Sequence, residues 1–512
     1  MTDADLVLVD GEVHTMDPAR PRAHGVAFGG GRIVAVGTNA QAEKWAGKTT
    51  EVVELGGKVV VPGFIDAHAH LMESASRVGN VDLGGCASMA AALDVLRAAV
   101  PHAGPGEWVV GDDWDESRWP EARYLTCEDL DRASPDVPIA AVRVDRHMAS
   151  VNSAALGLLK IPLGTRGFDA TSAGRPTGVL KEDALEAMWD VVWPSAERLA
   201  RNFREVATRA LSLGITTVHD VVGADEIRAY QIAKAGGALP LRATLMARDR
   251  LLPHLAAAGL SRGFGDEWLR LGAVKVFGDG SLGARTAALF QPYRDDPTDS
   301  GMLIHPPREL RDILAGIHAA GFPLAVHAIG DRAIELVIET IEAVAPEAGP
   351  RHRIEHAELL HPEHVERMAR NGIIASCQPN FIGQWSRPGG MYEKRLGFER
   401  TARNNPYREV LEKGVVLAFG SDGMPYGPME GIHWAVNAPF GIQGITMDQA
   451  VAAYTVGGAF AAFDETDGGT LSVGKRGDAV ILSGNPWGEP ETIRETHVER
   501  TIVAGRVAWR AP

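Results

Sequence analysis

At 512 residues, 45% apolar and 23% charged, the chain has the composition of an ordinary globular protein, with room for one large domain and accessories. A formal charge of -15 with no basic stripe argues against nucleic acid as a partner. Three widely spaced cysteines, Cys86, Cys127 and Cys377, exclude a disulfide framework and a cysteine-rich zinc site, and they suit a reducing compartment. No basic segment followed by an apolar stretch opens the chain, and no run approaches the ~20 apolar residues of a membrane helix. A cytoplasmic protein with no membrane partner is the expectation.

Residues 1–60 read as short strands separated by Gly-rich turns such as Gly29-Gly30-Gly31, and residues 463–512 have the same character. Two β-rich ends around a different middle predict one small β-sandwich built from both termini. The middle, residues 61–462, alternates strand and helix. Eight apolar strand candidates start at Val59, Thr216, Leu241, Leu271, Pro323, Arg353, Gly372 and Val415. Helical patterns such as Ala196 to Leu213, Arg308 to Ala320 and Ala333 to Ala345 lie between most of them. The fold class is therefore α/β, a (β/α)8 TIM-type barrel rather than an open doubly wound sheet. The first unit is overlong: after a helix-like stretch from Met89 to Ala99, residues 104–194 are expected as a large insertion over the barrel mouth.

The chemistry sits where strands end. The first candidate strand runs from Val59 to His70, and Asp66, His68 and His70 recur in it at a period of two, on one face of an extended segment. The fourth carries Lys275, the fifth ends in His327, the sixth in His356 and the eighth in Asp422. The C-terminal ends of barrel strands converge on one mouth, so ligands distant in sequence meet there. Imidazole and carboxylate suit zinc, and admit manganese, iron or nickel. Any one of these histidines taken singly also reads as a hydrogen-bonded core residue, and His219 beside Asp220 is read that way. Lys275 either snorkels or pairs with Asp279, or it is desolvated to a free amine. Such an amine can add carbon dioxide to give a carbamate, a carboxylate-like ligand.

Val61-Pro62-Gly63-Phe64-Ile65-Asp66-Ala67-His68-Ala69-His70 resembles the opening motif of the amidohydrolase superfamily. The stretch from Val274-Lys275 to Thr286-Ala287 resembles the strand-four signature of its family 3, the YtcJ-like group that includes N-substituted formamide deformylases. Ala325-Val326-His327, Arg353-Ile354-Glu355-His356, Gly420-Ser421-Asp422 and, inside the insertion, Asp113-Trp114-Asp115-Glu116 and His147 to Leu156 match in the same order. The resemblance covers nearly the whole chain. It implies His68, His70, carboxylated Lys275, His327 and His356 as ligands of one or two divalent metals, zinc first among them, with Asp422 as ligand and proton shuttle.

The expected reaction is hydrolysis of an amide, formamide or carbamate-type C–N bond in a small molecule by metal-bound hydroxide. Asp422 passes the proton to the leaving nitrogen. His147 or Arg285 serves as donor to the carbonyl oxygen, although a structural hydrogen bond or a salt bridge competes as the reading of both. Trp114, Asn152, Phe381, Trp385 and Tyr426 are the remaining candidates for contact with substrate. A lactone or ester hydrolase and a deaminase are the enzymatic alternatives, and a non-catalytic barrel is the third. Superfamily deaminases place Glu three residues beyond the strand-five histidine, where this chain has Gly330, and they lack the strand-four lysine. Asp66 is read as a partner orienting a histidine, and the chain leaves room for a homodimer.

Overall fold

The computed structural model describes residues 3–104, 106–345, 349–423 and 427–512. Its centre is an eight-stranded, all-parallel sheet. In chain order the strands are β1 (Phe64–Ala69), β2 (Ile215–Val222), β3 (Arg242–Arg248), β4 (Leu269–Phe277), β5 (Leu324–Ala328), β6 (Arg353–His356), β7 (Ile374–Cys377) and β8 (Leu417–Phe419). Each pairs with its predecessor, as consecutive βα units do. The ends of the sheet meet beyond β8: Asp422 N donates to His68 O at 2.8 Å, and Ser421 N donates to Asp66 Oδ1 at 2.9 Å. Gly420 permits this approach, because a Cβ there would collide with the backbone of His68. The result is a (β/α)8 barrel.

The helices between strands follow from pattern and punctuation. Ser195 accepts from Arg198 N and starts the helix Ala196–Ser212, which buries Leu199, Phe203, Ala207, Ala210 and Leu211 along one face. Pro362 opens the helix Pro362–Asn371, and Gly372, at φ 61°, ends it in the left-handed conformation.

Two expectations about the barrel strands change. Val59–Pro62 is not barrel: it pairs with Glu12–His14 and Ala479–Leu482, and the chain crosses into β1 at Gly63. A side chain at Gly63 would collide with Thr216 on the neighbouring strand, which the apolar run does not reveal. The eighth strand is also shorter than expected, because the chain leaves it at Gly420 to bring Asp422 round to His68.

Strands from both ends of the chain form a four-stranded and a six-stranded sheet. Leu6, Leu8, Val26 and Phe28 of the first share one apolar core with Val13, Val60, Ala479, Ile481 and Ile502 of the second. A further six-stranded sheet lies between β1 and β2 in sequence, running from Val81–Asp82 to Pro176–Lys181. It starts ahead of the expected residue 104. The helix Met89–Ala99 belongs with it, packing Leu93 and Leu96 against Val109, Trp114 and Ile139. No described helix is long and apolar enough to cross a membrane.

Candidate active site

His68 lies near the end of β1, fully buried. Its Nδ1 is held by Glu355 of β6, and its Nε2 stands 3.2 Å from Asp422 Oδ1 and 3.2 Å from Lys275 Nζ. His70 repeats the arrangement one step outward: Nδ1 meets Glu73 Oε2 at 2.9 Å, and Nε2 meets Asp422 Oδ1 at 3.2 Å. Ligand atoms of His68, His70 and Asp422 all lie within 4.8 Å of one another. The His356 ring is 4.9 Å from that of His68 and 4.3 Å from that of His327. His327 directs Nε2 at Gly280 O, 3.1 Å away, so its ring borders the three-cornered cluster without closing on it. The backbone is bent to achieve this: His356 sits at φ 71° and Asp422 at φ 57°, both rare for residues with a Cβ and characteristic of functional sites.

The donor set fits a divalent cation. Carboxylates on both Nδ1 atoms turn the Nε2 atoms of His68 and His70 toward Asp422, the arrangement in which histidine binds metal. His356 Nδ1 is buried with no hydrogen-bond partner among the described residues, which is costly for a group that has no further task. Electrostatics point the same way. Burial alone would push His70 down, but Glu73 and Asp422 outweigh it and raise it to about 9. Burial alone would raise Asp422, but His68 and His70 hold it well below the usual carboxylate range. Negative charge is thus in excess where the Nε2 atoms converge. Burial lowers Lys275 to about 8, against the pull of Glu355 and Asp422, so part of its population is free amine near neutrality.

A cavity of about 420 Å³ opens over these groups. His70, Lys275, His327, His356 and Asp422 form its floor, and Glu182, Glu186, Trp189 and Trp193 from the insertion wall its far side.

An amidohydrolase family model matches residues 51–508. The chain belongs to the amidohydrolase family. This amidohydrolase is 30% identical to the putative amidohydrolase YtcJ of Bacillus subtilis over 98% of each chain. It is 29% identical to the N-substituted formamide deformylase of Arthrobacter pascens over 98% of this chain and 97% of that one. An uncharacterized metal-dependent hydrolase from Pyrococcus horikoshii superposes with a TM-score of 0.77 at 28% identity, covering 95% of this chain and 99% of that one. A family so named, matched along the whole barrel and the C-terminal strands, makes the chain a hydrolase of carbon–nitrogen bonds.

The amidohydrolase separates the expected substrate contacts sharply. His147 lines the cavity, its ring 5.1 Å from that of His327. Phe381 stacks 6.1 Å from His356 and, with Trp385, lines a narrow recess beside it. Three others stand elsewhere. Trp114 is fully buried in the core of the insertion, donating its indole N–H to Ala141 O at 2.9 Å. Asn152 caps the helix Ser153–Leu159 and ties down Ile139, Ser134 and Val137. Arg285 pairs with Asp295 at 2.8 Å and with the Tyr124 hydroxyl, and does not line the cavity. Their motif spacing marks structural polarity, a role that residue type alone does not separate from catalysis. Tyr426 lies outside the described residues.

Asp66 also differs from expectation: it receives Ser421 N and Oγ and so holds the chain after β8, rather than a histidine ring. His219 does not pair with Asp220. Asp220 accepts from Leu71 N and Met72 N behind His70, while His219 Nδ1 meets Arg353 at 3.1 Å. Sequence alone does not single out Glu355 and Glu73, the residues that orient the histidines. Glu355 had one available signal, a carboxylate on a buried strand immediately before a candidate ligand.

Proposed function

We propose that this amidohydrolase cleaves the C–N bond of a small amide, formamide or carbamate-type substrate. His68, His70, Asp422, His327 and His356, with Lys275 as its carbamate, would hold one or two divalent cations, zinc first among them. When bound, such a cation lowers the pKa of water to about 7 and polarises a carbonyl oxygen. The observation carrying this reading is the meeting of both histidine Nε2 atoms on Asp422 Oδ1 at 3.2 Å, with each Nδ1 backed by a carboxylate.

The remaining work belongs to side chains. Asp422, only 16% exposed at the cavity floor, takes the proton from the attacking water and returns it to the departing nitrogen. Lys275 Nζ, as free amine, attacks carbon dioxide and sheds a proton, so that a buried cationic end becomes an anionic oxygen donor. His147, raised to about 9 by Glu182 and Asp145 against the effect of burial, donates from the opposite wall to the carbonyl oxygen as charge develops there. The 29%-identical deformylase supports N-substituted formamides as the first compounds to try.

Metal analysis of the purified protein, followed by a screen of N-formyl, N-acyl, carbamate and lactone compounds, tests this. Bound divalent metal together with release of amine from a member of the first three classes is expected. Turnover of lactones alone would overturn the C–N assignment.

A further inference from the structure

We propose that Glu182 is the positioning residue for His147, a role that rests on His147 acting on the substrate carbonyl. Glu182 opens the helix Glu182–Val192 and is held at φ 44°, a left-handed conformation that a glutamate rarely adopts. Its side chain is 9% exposed, and Oε1 is buried with no partner within hydrogen-bond distance among the described residues. That oxygen lies 3.6 Å from His147 Nδ1. A buried carboxylate on a strained backbone is unfavourable unless a cation offsets it, and the His147 ring facing Oε1 is the cation that does so. The loop after β4 leaves room for it, since a Cβ at Gly280 would collide with Glu182 Oε1.

The chemistry follows from the two ring nitrogens. A carboxylate at Nδ1 accepts the Nδ1 proton, fixes the ring plane and turns Nε2 toward the cavity. Asp145 holds the same segment from behind: its Oδ1 accepts from His147 N at 3.3 Å, and its Oδ2 from Ser281 Oγ at 2.6 Å. His147 and Glu182 both come from the insertion, whereas the histidine–carboxylate cluster comes from the barrel. The cavity between them is therefore bounded by two separately built halves of one site. The 3.6 Å spacing is within the range of long hydrogen bonds that catalytic groups make before substrate tightens them.

The test compares Glu182→Gln, Glu182→Asp, Glu182→Gly, His147→Ala and the Glu182→Gln/His147→Ala double variant in the metal-loaded enzyme. The substrate is an N-formyl amine, and kcat and KM are measured separately. Glu182→Gln is expected to lower kcat by about 10- to 100-fold with KM and metal content little changed. Glu182→Asp should recover part of the loss. The double variant should be no slower than His147→Ala alone, because both changes remove one function. Glu182→Gly discriminates against a structural role: glycine adopts φ 44° without strain, so that protein should be as stable as the parent and still slow. The proton resonance of His147 Nδ1–H, shifted downfield by a carboxylate partner, should be present in the parent and absent in Glu182→Gln whatever the substrate proves to be. Additive losses in the double variant, a fully active Glu182→Gly enzyme, or an unchanged resonance in Glu182→Gln would each overturn the assignment. Absence of C–N hydrolysis in the parent would instead count against the proposed function and leave the resonance to decide the role of Glu182.

Discussion

Replacing Glu355 by Gln should weaken metal binding and folding together. The Glu355 carboxylate is fully buried between two donors, His68 Nδ1 on one side and the Arg353 guanidinium on the other. Burial would raise its pKa, but Arg353 and His68 hold it well below the usual range, so both contacts are made to an anion. A glutamine amide offers one oxygen and no charge. It can satisfy His68 or Arg353, and it presents an NH2 to the other. With the amide oxygen on His68, Arg353 keeps Ser376 Oγ, Ala67 O and His219 as its partners among the described residues. Breaking a buried pair from one side costs about 3–5 kcal/mol, and loss of a carboxylate behind a metal-binding histidine lowers metal affinity or activity by roughly 10- to 100-fold. Denaturant unfolding of the metal-free protein reads the first effect, and competition with a chromophoric chelator reads the second. Parental midpoints in both assays would refute the view that Glu355 organises His68.

Three further outcomes follow from the same geometry. Asp422→Ala, assayed with metal in excess so that loss of one ligand is compensated, should lower turnover by at least ~10²; metal analysis and kcat on one preparation check it. Lys275→Ala should lower metal content, and short carboxylates added to the assay should restore part of the activity by occupying the space of the carbamate. Gly420→Ala should destabilise the protein by about 1–3 kcal/mol, since the new methyl meets the backbone of His68, which cannot swing aside; the shift in unfolding midpoint measures it.

How much of this was legible in the sequence depends on whether a feature is periodic. The βα alternation and the strand-end polar residues are local patterns, and β2 to β7 fall within a few residues of their expected places. The split at Gly63 is invisible because Val59–Pro62 and Phe64–Ala69 are both continuously buried, so neither alternates. The sequence places the start of the insertion too late because its helix Met89–Ala99 has the same amphipathic spacing as a barrel helix and differs only in what it packs against. Within the site, His68, His70 and Asp422 meet as strand ends should. Trp114 and Asn152 fall outside it because residue type says nothing about which way a buried polar group points. Glu73, Glu182 and Glu355 were missed for the complementary reason: a carboxylate becomes a histidine's partner only through contacts between elements far apart in the chain.

The most direct measurement is hydrolysis of an N-formyl amine by protein stripped with a chelator and then titrated with zinc. The arrangement of His68, His70 and Asp422 predicts no turnover in the stripped protein and recovery that saturates at one or two equivalents of metal. Full turnover by protein shown to be metal-free would contradict it.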